Sequence, residues 1–148
     1  MEDISKAVND WLSGCPAIAA DQFFFNYLQG GDGAQGFITK TSPSIKEDIL
    51  GNEIVTYNMD IIDMRRVVTL SSNLNEGNLN NMAPASEIIS WIQNQIRQRN
   101  YPYLGPGASV EKMAVAPIPT FVGTGVVEGK ELAQYTISVS LTFIHYID

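Results

Sequence analysis

The feature that most constrains this chain is an alternation of residue types near its end, over residues 132–145. One parity is apolar and comprises Ala133, Tyr135, Ile137, Val139, Leu141 and Phe143. The other parity is polar and comprises Gln134, Thr136, Ser138, Ser140 and Thr142. Because side chains alternate between the two sides of a β-strand, this pattern predicts a long strand with one buried face. Its polar face meets either water or a partner.

Two amphipathic helices are predicted, and they can cover the buried face of this strand. The first ends before Gly14 and Pro16, and its apolar stripe is Ile4, Ala7, Val8, Trp11 and Leu12. The second is predicted to carry Pro84 in its first turn and to end at Tyr101-Pro102. Its buried stripe is Ala85, Ile88, Ile89, Ile92 and Ile96, with Trp91 on the flank.

Between the two helices, aromatic and β-branched runs predict additional strands. Residues 21–28 and 36–41 are expected to pair as a hairpin across a glycine-rich turn, with a helical continuation over residues 21–28 as the alternative. Residues 42–52 and 71–81 have the composition of loops, the second of them rich in Asn.

Residues 53–70 form the second long strand candidate. Its apolar parity is broken by Ile62 and Met64, which predicts a bulge or bend between Asp60 and Asp63. A strand with such a break bends locally and twists more strongly than a regular one.

After the second helix, residues 110–117 are predicted to form a strand with Met113 and Val115 inward. Residues 119–130 are rich in Gly and Thr and contain Phe121 and Val122. We expect this segment to be a long, partly extended hairpin tip that leads into the final strand.

This order of elements predicts the α+β class, with a mixed or antiparallel sheet of about four to five strands packed on one main helix and an N-terminal helix. A chain of 148 residues is expected to be one domain, residues 1–148. With 45% hydrophobic and 17% charged residues, it has the composition of a folded protein.

The net charge limits the possible partners of the protein, and the cysteine content limits its cellular compartment. The formal net charge is −7, which argues against wrapping duplex DNA or binding an anionic membrane. The single cysteine, Cys15, excludes an internal disulfide and fits a reducing compartment. The N-terminal residues lack a secretory signal, and no run approaches the roughly 20 apolar residues of a membrane span. We therefore expect synthesis as a soluble cytoplasmic protein.

No motif in the sequence predicts catalysis, a metal site or a cofactor. The cluster at residues 30–33 lacks the Lys-Ser/Thr of a phosphate-binding loop. Cys15 and His145, a possible nucleophile and base, stand at opposite ends of the chain. Asp60 and Asp63 lack the spacing of a calcium loop. We therefore expect a protein that is not an enzyme.

Several landmarks follow one another in a recognisable order. They are Trp11-Leu12-x-x-Cys15-Pro16, Trp91-Ile92 leading to Asn100-Tyr101-Pro102-x-Leu104-Gly105-x-Gly107, Val110-x-Lys112-Met113-x-Val115, and Tyr135-x-Ile137. In this order the chain resembles, over nearly its whole length, the tail terminator (often labelled minor capsid) proteins of long-tailed phages and prophages of Gram-positive bacteria.

The resemblance implies a small α+β protein that assembles into a ring, usually a hexamer, on the head-proximal end of the tail tube. Such a ring stops polymerisation of the tail tube protein and presents a surface to the head-completion or connector protein. DNA would be only passing cargo, and the mature location would be the virion tail. The resemblance implies no catalytic residue and no cofactor.

Subunit contacts in a ring require exposed strands and loops, which the sequence places in residues 39–52 and 117–130 and on the polar strand face. Arg65-Arg66 is too short for a nucleic-acid patch and is expected to pair with acids of this chain or of another subunit. The candidate interface residues are Glu47, Asp48, Arg65, Arg66, Phe121, Val122, Thr136, Ser138 and Ser140. The alternative is a small cytoplasmic binding or adaptor protein built on the same scaffold.

Overall fold

The computed structural model describes residues 3–18, 23–25, 33, 35–39, 43–67, 74–127 and 129–147. Its architecture is α+β, as predicted, with seven strands rather than four to five. The elements in chain order are α1 (Ile4–Leu12), β1 (Phe23–Phe25), β2 (Gln35–Thr39), β3 (Ser44–Glu47), β4 (Glu53–Arg66), α2 (Leu74–Arg97), β5 (Ala108–Val115), β6 (Thr120–Val127) and β7 (Lys130–His145).

The sheet is built around an antiparallel pair of long strands, β4 and β7. Their ladder runs without interruption from Glu53 opposite His145 to Arg66 opposite Leu132. The outer side of β4 carries β3 and then β2, with β1 beyond β2. The outer side of β7 carries β5 beside its C-terminal half and β6 beside its N-terminal half. Each long strand is therefore flanked by two shorter strands placed end to end.

Both helices cover the same face of this sheet. The apolar parity of β7 is buried in full, as its alternation predicts, and faces the same core as Val55, Tyr57, Met59 and Ile61 of β4. From the helix side, the core receives Ala7, Val8 and Leu12 of α1 and Ala85, Ile88, Ile89 and Ile92 of α2. Burial of these side chains is the main stabilising contribution of the fold.

Specific polar contacts hold α1 in place. The carboxylate of Asp3 caps the helix by accepting from the backbone N–H of Lys6 at 3.0 Å. The Ser5 hydroxyl lies 3.0 Å from the Tyr57 hydroxyl on β4. Trp11 packs on Trp91 of α2, with ring centroids 4.9 Å apart, and donates its indole N–H to the carbonyl of Asn100 at 2.8 Å. These contacts fix α1 to the sheet and to α2.

A second, smaller core lies on the opposite face of the sheet, at the Arg66 end of β4. It contains Ile62, Met64 and Leu132, and Ile38 packs against it. The predicted bulge between Asp60 and Asp63 is therefore wrong, because β4 keeps its register and both of its faces are buried here. The break in apolar parity marks a strand covered on two sides.

Two other predictions about the first half of the chain are corrected. β1 pairs with β2 in parallel, with Phe23 opposite Gln35, so the two strands do not form the predicted hairpin. The segment predicted as a loop over residues 42–52 contains β3, which pairs with β4 before a tight turn at residues 48–51. The predicted strand residues 21–22 and 26–28, and residues 40–41, lie outside the described residues.

In the second half, α2 begins at Leu74, ten residues before Pro84 and therefore well before the predicted start. Pro84 consequently lies inside the helix rather than in its first turn. Part of the segment predicted as a polar connection, over residues 71–81, is thus helical; residues 68–73 lie outside the described part of the chain. The segment over residues 119–130 contains strand β6, which has a register shift between Phe121 and Gly123 and forms a hairpin with β7 as predicted.

Candidate assembly surfaces

The helix-free face of the sheet presents a polar ladder. Its β7 members are Thr136, Ser138, Ser140 and Thr142, and their β4 neighbours include Thr56, Asn58 and Asp60. The Ser138 hydroxyl donates to Asp60 Oδ1 at 3.1 Å, and the Thr56 and Thr142 hydroxyls lie 3.3 Å apart. Ala114 and Ala116 border a shallow depression beside this ladder. Such a face can exchange hydrogen bonds with water or with a protein surface.

A second surface, the β3–β4 end, comprises residues 44–53. Three apolar side chains are exposed here: Ile45 on β3, and Ile49 and Leu50 in the turn. The turn is well defined, because Asp48 Oδ1 accepts from the backbone N–H groups of Leu50 and Asn52, each at 2.9 Å. Exposed apolar side chains on an ordered turn are typical of a contact surface.

A third surface, the β6 end, comprises Ile118 and strand β6. Phe121, Val122 and Val126 of β6 are exposed, as is Ile118 before it. Val122 also lines a small cavity beside Met64 and Leu132 of the second core. The register of β6 against β7 shifts between Phe121 and Gly123, and Gly123 has the positive φ of 149° that favours glycine.

The predicted interface residues do not form one site in this chain. Glu47 and Asp48 belong to the β3–β4 end, and Phe121 and Val122 to the β6 end. The polar ladder contains Thr136, Ser138 and Ser140. Arg66 is exposed at the far end of β4, where its carbonyl accepts from the Asn81 amide at 3.0 Å. Their role in an interface stays a prediction.

Arg65 is engaged within its own chain. Its guanidinium donates from Nε to Asp63 Oδ2 and from Nη2 to Asp63 Oδ1, both at 2.9 Å. Asp63 is fully buried on the helix side of β4, and its Oδ1 also accepts from Gln35 Nε2 at 2.8 Å. Gln35 in turn donates to the carbonyl of Ala17 at 3.1 Å. This network joins β2, β4 and the segment after α1, so its first role is structural.

The residues considered for catalysis lie in different surroundings within the structure. Cys15 is buried in the main core, and that burial raises the pKa of its thiol. His145 ends β7, where its Nδ1 lies 3.3 Å from Glu53 Oε1. Asp60 and Asp63 lie on opposite faces of the sheet, since one contacts Ser138 and the other lies in the buried network. Within the described ranges, no cluster of three or more His, Cys, Asp or Glu could hold a metal ion.

Sequence reasoning missed the apolar side chains of the β3–β4 end. Their segment contains Pro43, Lys46, Glu47 and Gly51, so its composition indicates a loop, and isolated apolar residues in loops carry little information. The available signal was weak: Ile45 lies between the polar Ser44 and Lys46, but Glu47 on the same parity breaks the alternation.

Comparison with known proteins adds no relative: no family model matches the chain, and no curated protein matches it. In the described part of the chain, neither helix is sufficiently long and apolar to cross a membrane.

Proposed function

We propose that this chain is a structural assembly protein of a phage or prophage tail. Copies of it form a ring, hexameric by the resemblance, on the head-proximal end of the tail tube. The ring stops polymerisation of the tube protein and gives the head-completion protein a surface to join. Its work is done by contact between surfaces, without making or breaking a bond.

The observation that carries this proposal is the placement of two exposed apolar surfaces at opposite corners of one sheet. The β3–β4 end lies outside β4 beside Glu53, and the β6 end lies outside β7 beside Leu132. A ring closes through head-to-tail contacts, which need two different surfaces on each subunit. Two separate, dissimilar apolar surfaces on one small domain support such an arrangement.

The charge of the chain fits the same role. A formal net charge of −7 gives the subunit the same sign as DNA. Like charge along a channel would keep passing DNA from adhering to its wall. DNA is therefore proposed as cargo of the assembled ring and not as a bound ligand.

The proposal is tested by adding the purified protein to tail tube protein that is polymerising. We expect shorter tubes with a ring at one end, seen by electron microscopy, because a cap blocks addition of further tube subunits. Ile49→Asp with Leu50→Asp should abolish this capping, since both side chains are exposed and neither substitution disturbs the core.

Glu111→Gln on β5 is the matched control, because Glu111 is exposed and lies on neither apolar surface. It should cap tubes as the original protein does. Unchanged tube lengths, together with a stable monomer, would contradict the proposal and favour the adaptor alternative.

A further inference from the structure

We infer that neighbouring subunits join by strand addition, with the outer edge of β6 in one copy pairing with the outer edge of β3 in the next. This inference rests on the proposed function and specifies the contact that closes the ring. Three features support it: the exposed edges, the strand directions and the faces on which the edge side chains lie.

The outer edge of β6 is regular over residues 123–127, after the register shift between Phe121 and Gly123. Residues 116–127 contain no charged side chain, while Phe121, Val122 and Val126 are exposed. Over the described residues, β6 pairs with β7 alone. By contrast, β5 on the same side of the sheet has a register shift at Glu111 and exposes Glu111 and Lys112. An uncharged, exposed edge strand is a template for another strand.

The partner edge must be different from β6, since β6 pairing with itself gives a two-fold dimer rather than a ring. In the described part of the chain, β3 is a second exposed edge strand, with the apolar side chain of Ile45 beside the charged Lys46 and Glu47. The uncharged β6 can meet this edge without like-charge repulsion. β3 pairs only with β4 among the described strands, and it lies at the corner of the sheet diagonally opposite β6.

Strand direction makes the two edges compatible. β3 is antiparallel to β4, β4 to β7, and β7 to β6, so β3 and β6 run in opposite directions within one subunit. A second copy in a similar orientation therefore brings its β3 antiparallel to β6 of the first. Antiparallel pairing would satisfy open backbone groups on both edges and continue the sheet across the subunit boundary.

On both edges, the side chains that would meet lie on the same face of the sheet, the helix side. Ile45 pairs with Val55, which belongs to the main core, so Ile45 lies on the helix side of the sheet. Phe121 pairs with Tyr135 and Thr124 with Ala133, whose side chains also lie on the helix side. Strand addition in this orientation thus brings Ile45 beside Phe121 or Thr124, covering apolar surface that each subunit alone exposes.

The test is cross-linking by engineered cysteines, because disulfides form only between closely placed Cβ atoms. The variants pair Ile45→Cys with Phe121→Cys, Thr124→Cys or Val126→Cys, which sample the possible registers. Under oxidation, one of these double variants should give a ladder of covalent multimers that ends at a closed ring. Native Cys15 is buried and contributes little background.

The matched control is Lys46→Cys with the same β6 cysteines. Lys46 pairs with Ile54 and so lies on the opposite face from Ile45. The Ile45 series should cross-link at least about tenfold more than this control in its best register. Efficient dimers from Thr124→Cys alone would instead show a symmetric β6 contact and overturn the inference.

Native mass measurement separates this inference from the proposed function. Rings that form without cross-linking in any register would overturn the edge contact and leave the proposed function standing. Cross-linked multimers that fail to shorten tail tubes would overturn the proposed function and leave the edge contact standing.

Discussion

Replacing Asp63 by Ala should lower the free energy of unfolding by about 3 kcal/mol, because it removes one partner of a buried ion pair. Asp63 is fully buried and accepts two hydrogen bonds from Arg65 and one from Gln35. The side chain of Arg65 keeps 25% exposure, so it can turn toward water, which places the loss at the low end of the usual range. Urea denaturation followed by circular dichroism measures the change.

Asp60→Ala is the matched control for this experiment. Asp60 is on the same strand but on the helix-free face, where it is half-buried and accepts from Ser138. We expect a loss of about 1 kcal/mol for this variant. A cycle with Arg65→Ala and the double variant should give a coupling of about 1.5–3 kcal/mol. Equal losses for Asp63→Ala and Asp60→Ala would contradict the described network.

The second large effect is expected at Leu141. This residue is fully buried in β7 between Tyr57 of β4 and Met113 of β5. Leu141→Ala removes apolar contacts on both sides and leaves a cavity, so we expect a loss of about 2–5 kcal/mol. Thermal and urea unfolding should agree on the change if the domain unfolds in one step.

Its neighbour Ser140 points to the opposite face and provides the control. Ser140→Ala should change the free energy of unfolding by no more than about 0.5 kcal/mol. The pair tests which face of β7 is covered by helices, because reversed effects would require the opposite assignment. A stable Ser140→Ala variant can also be used to ask whether the polar ladder contributes to assembly.

The elements that were predicted correctly from the sequence are those whose apolar residues recur at a regular spacing. The alternation in β7 and the helical stripe of α1 follow directly from the burial of one face, and both are confirmed. The predictions from the sequence were wrong where both faces of a strand are buried. Ile62 and Met64 suggested a bulge because the pattern cannot reveal a second core on the other face of β4. A strand covered on both sides loses its alternation.

Other errors came from local signals that tertiary structure overrides. Pro84 is a good first-turn residue, yet α2 continues before it through a mostly polar segment in which Leu74, Leu79 and Met82 make only a weak apolar stripe. The glycine-rich segment before β2 suggested a hairpin, but glycines do not fix strand direction, and β1 pairs in parallel. Such pairing depends on contacts distant in sequence, which local patterns do not report.

The candidate surfaces were only partly accessible to sequence reasoning. The polar ladder follows from the Ser and Thr parity of β7, so Thr136, Ser138 and Ser140 could be placed together. The apolar residues of the β3–β4 end could not, since apolar side chains are ordinarily assigned to a core. Arg65 was expected to pair with an acid of this chain or of another subunit, and it pairs with Asp63 of its own chain.

We propose that this protein ends a tail tube by assembling on it. The most direct measurement is the length distribution of tails, by electron microscopy, in a phage from which this gene alone has been deleted. We expect overlong tails that lack heads, restored to normal by supplying the protein. Tails of normal length joined to heads in the deletion phage would contradict it.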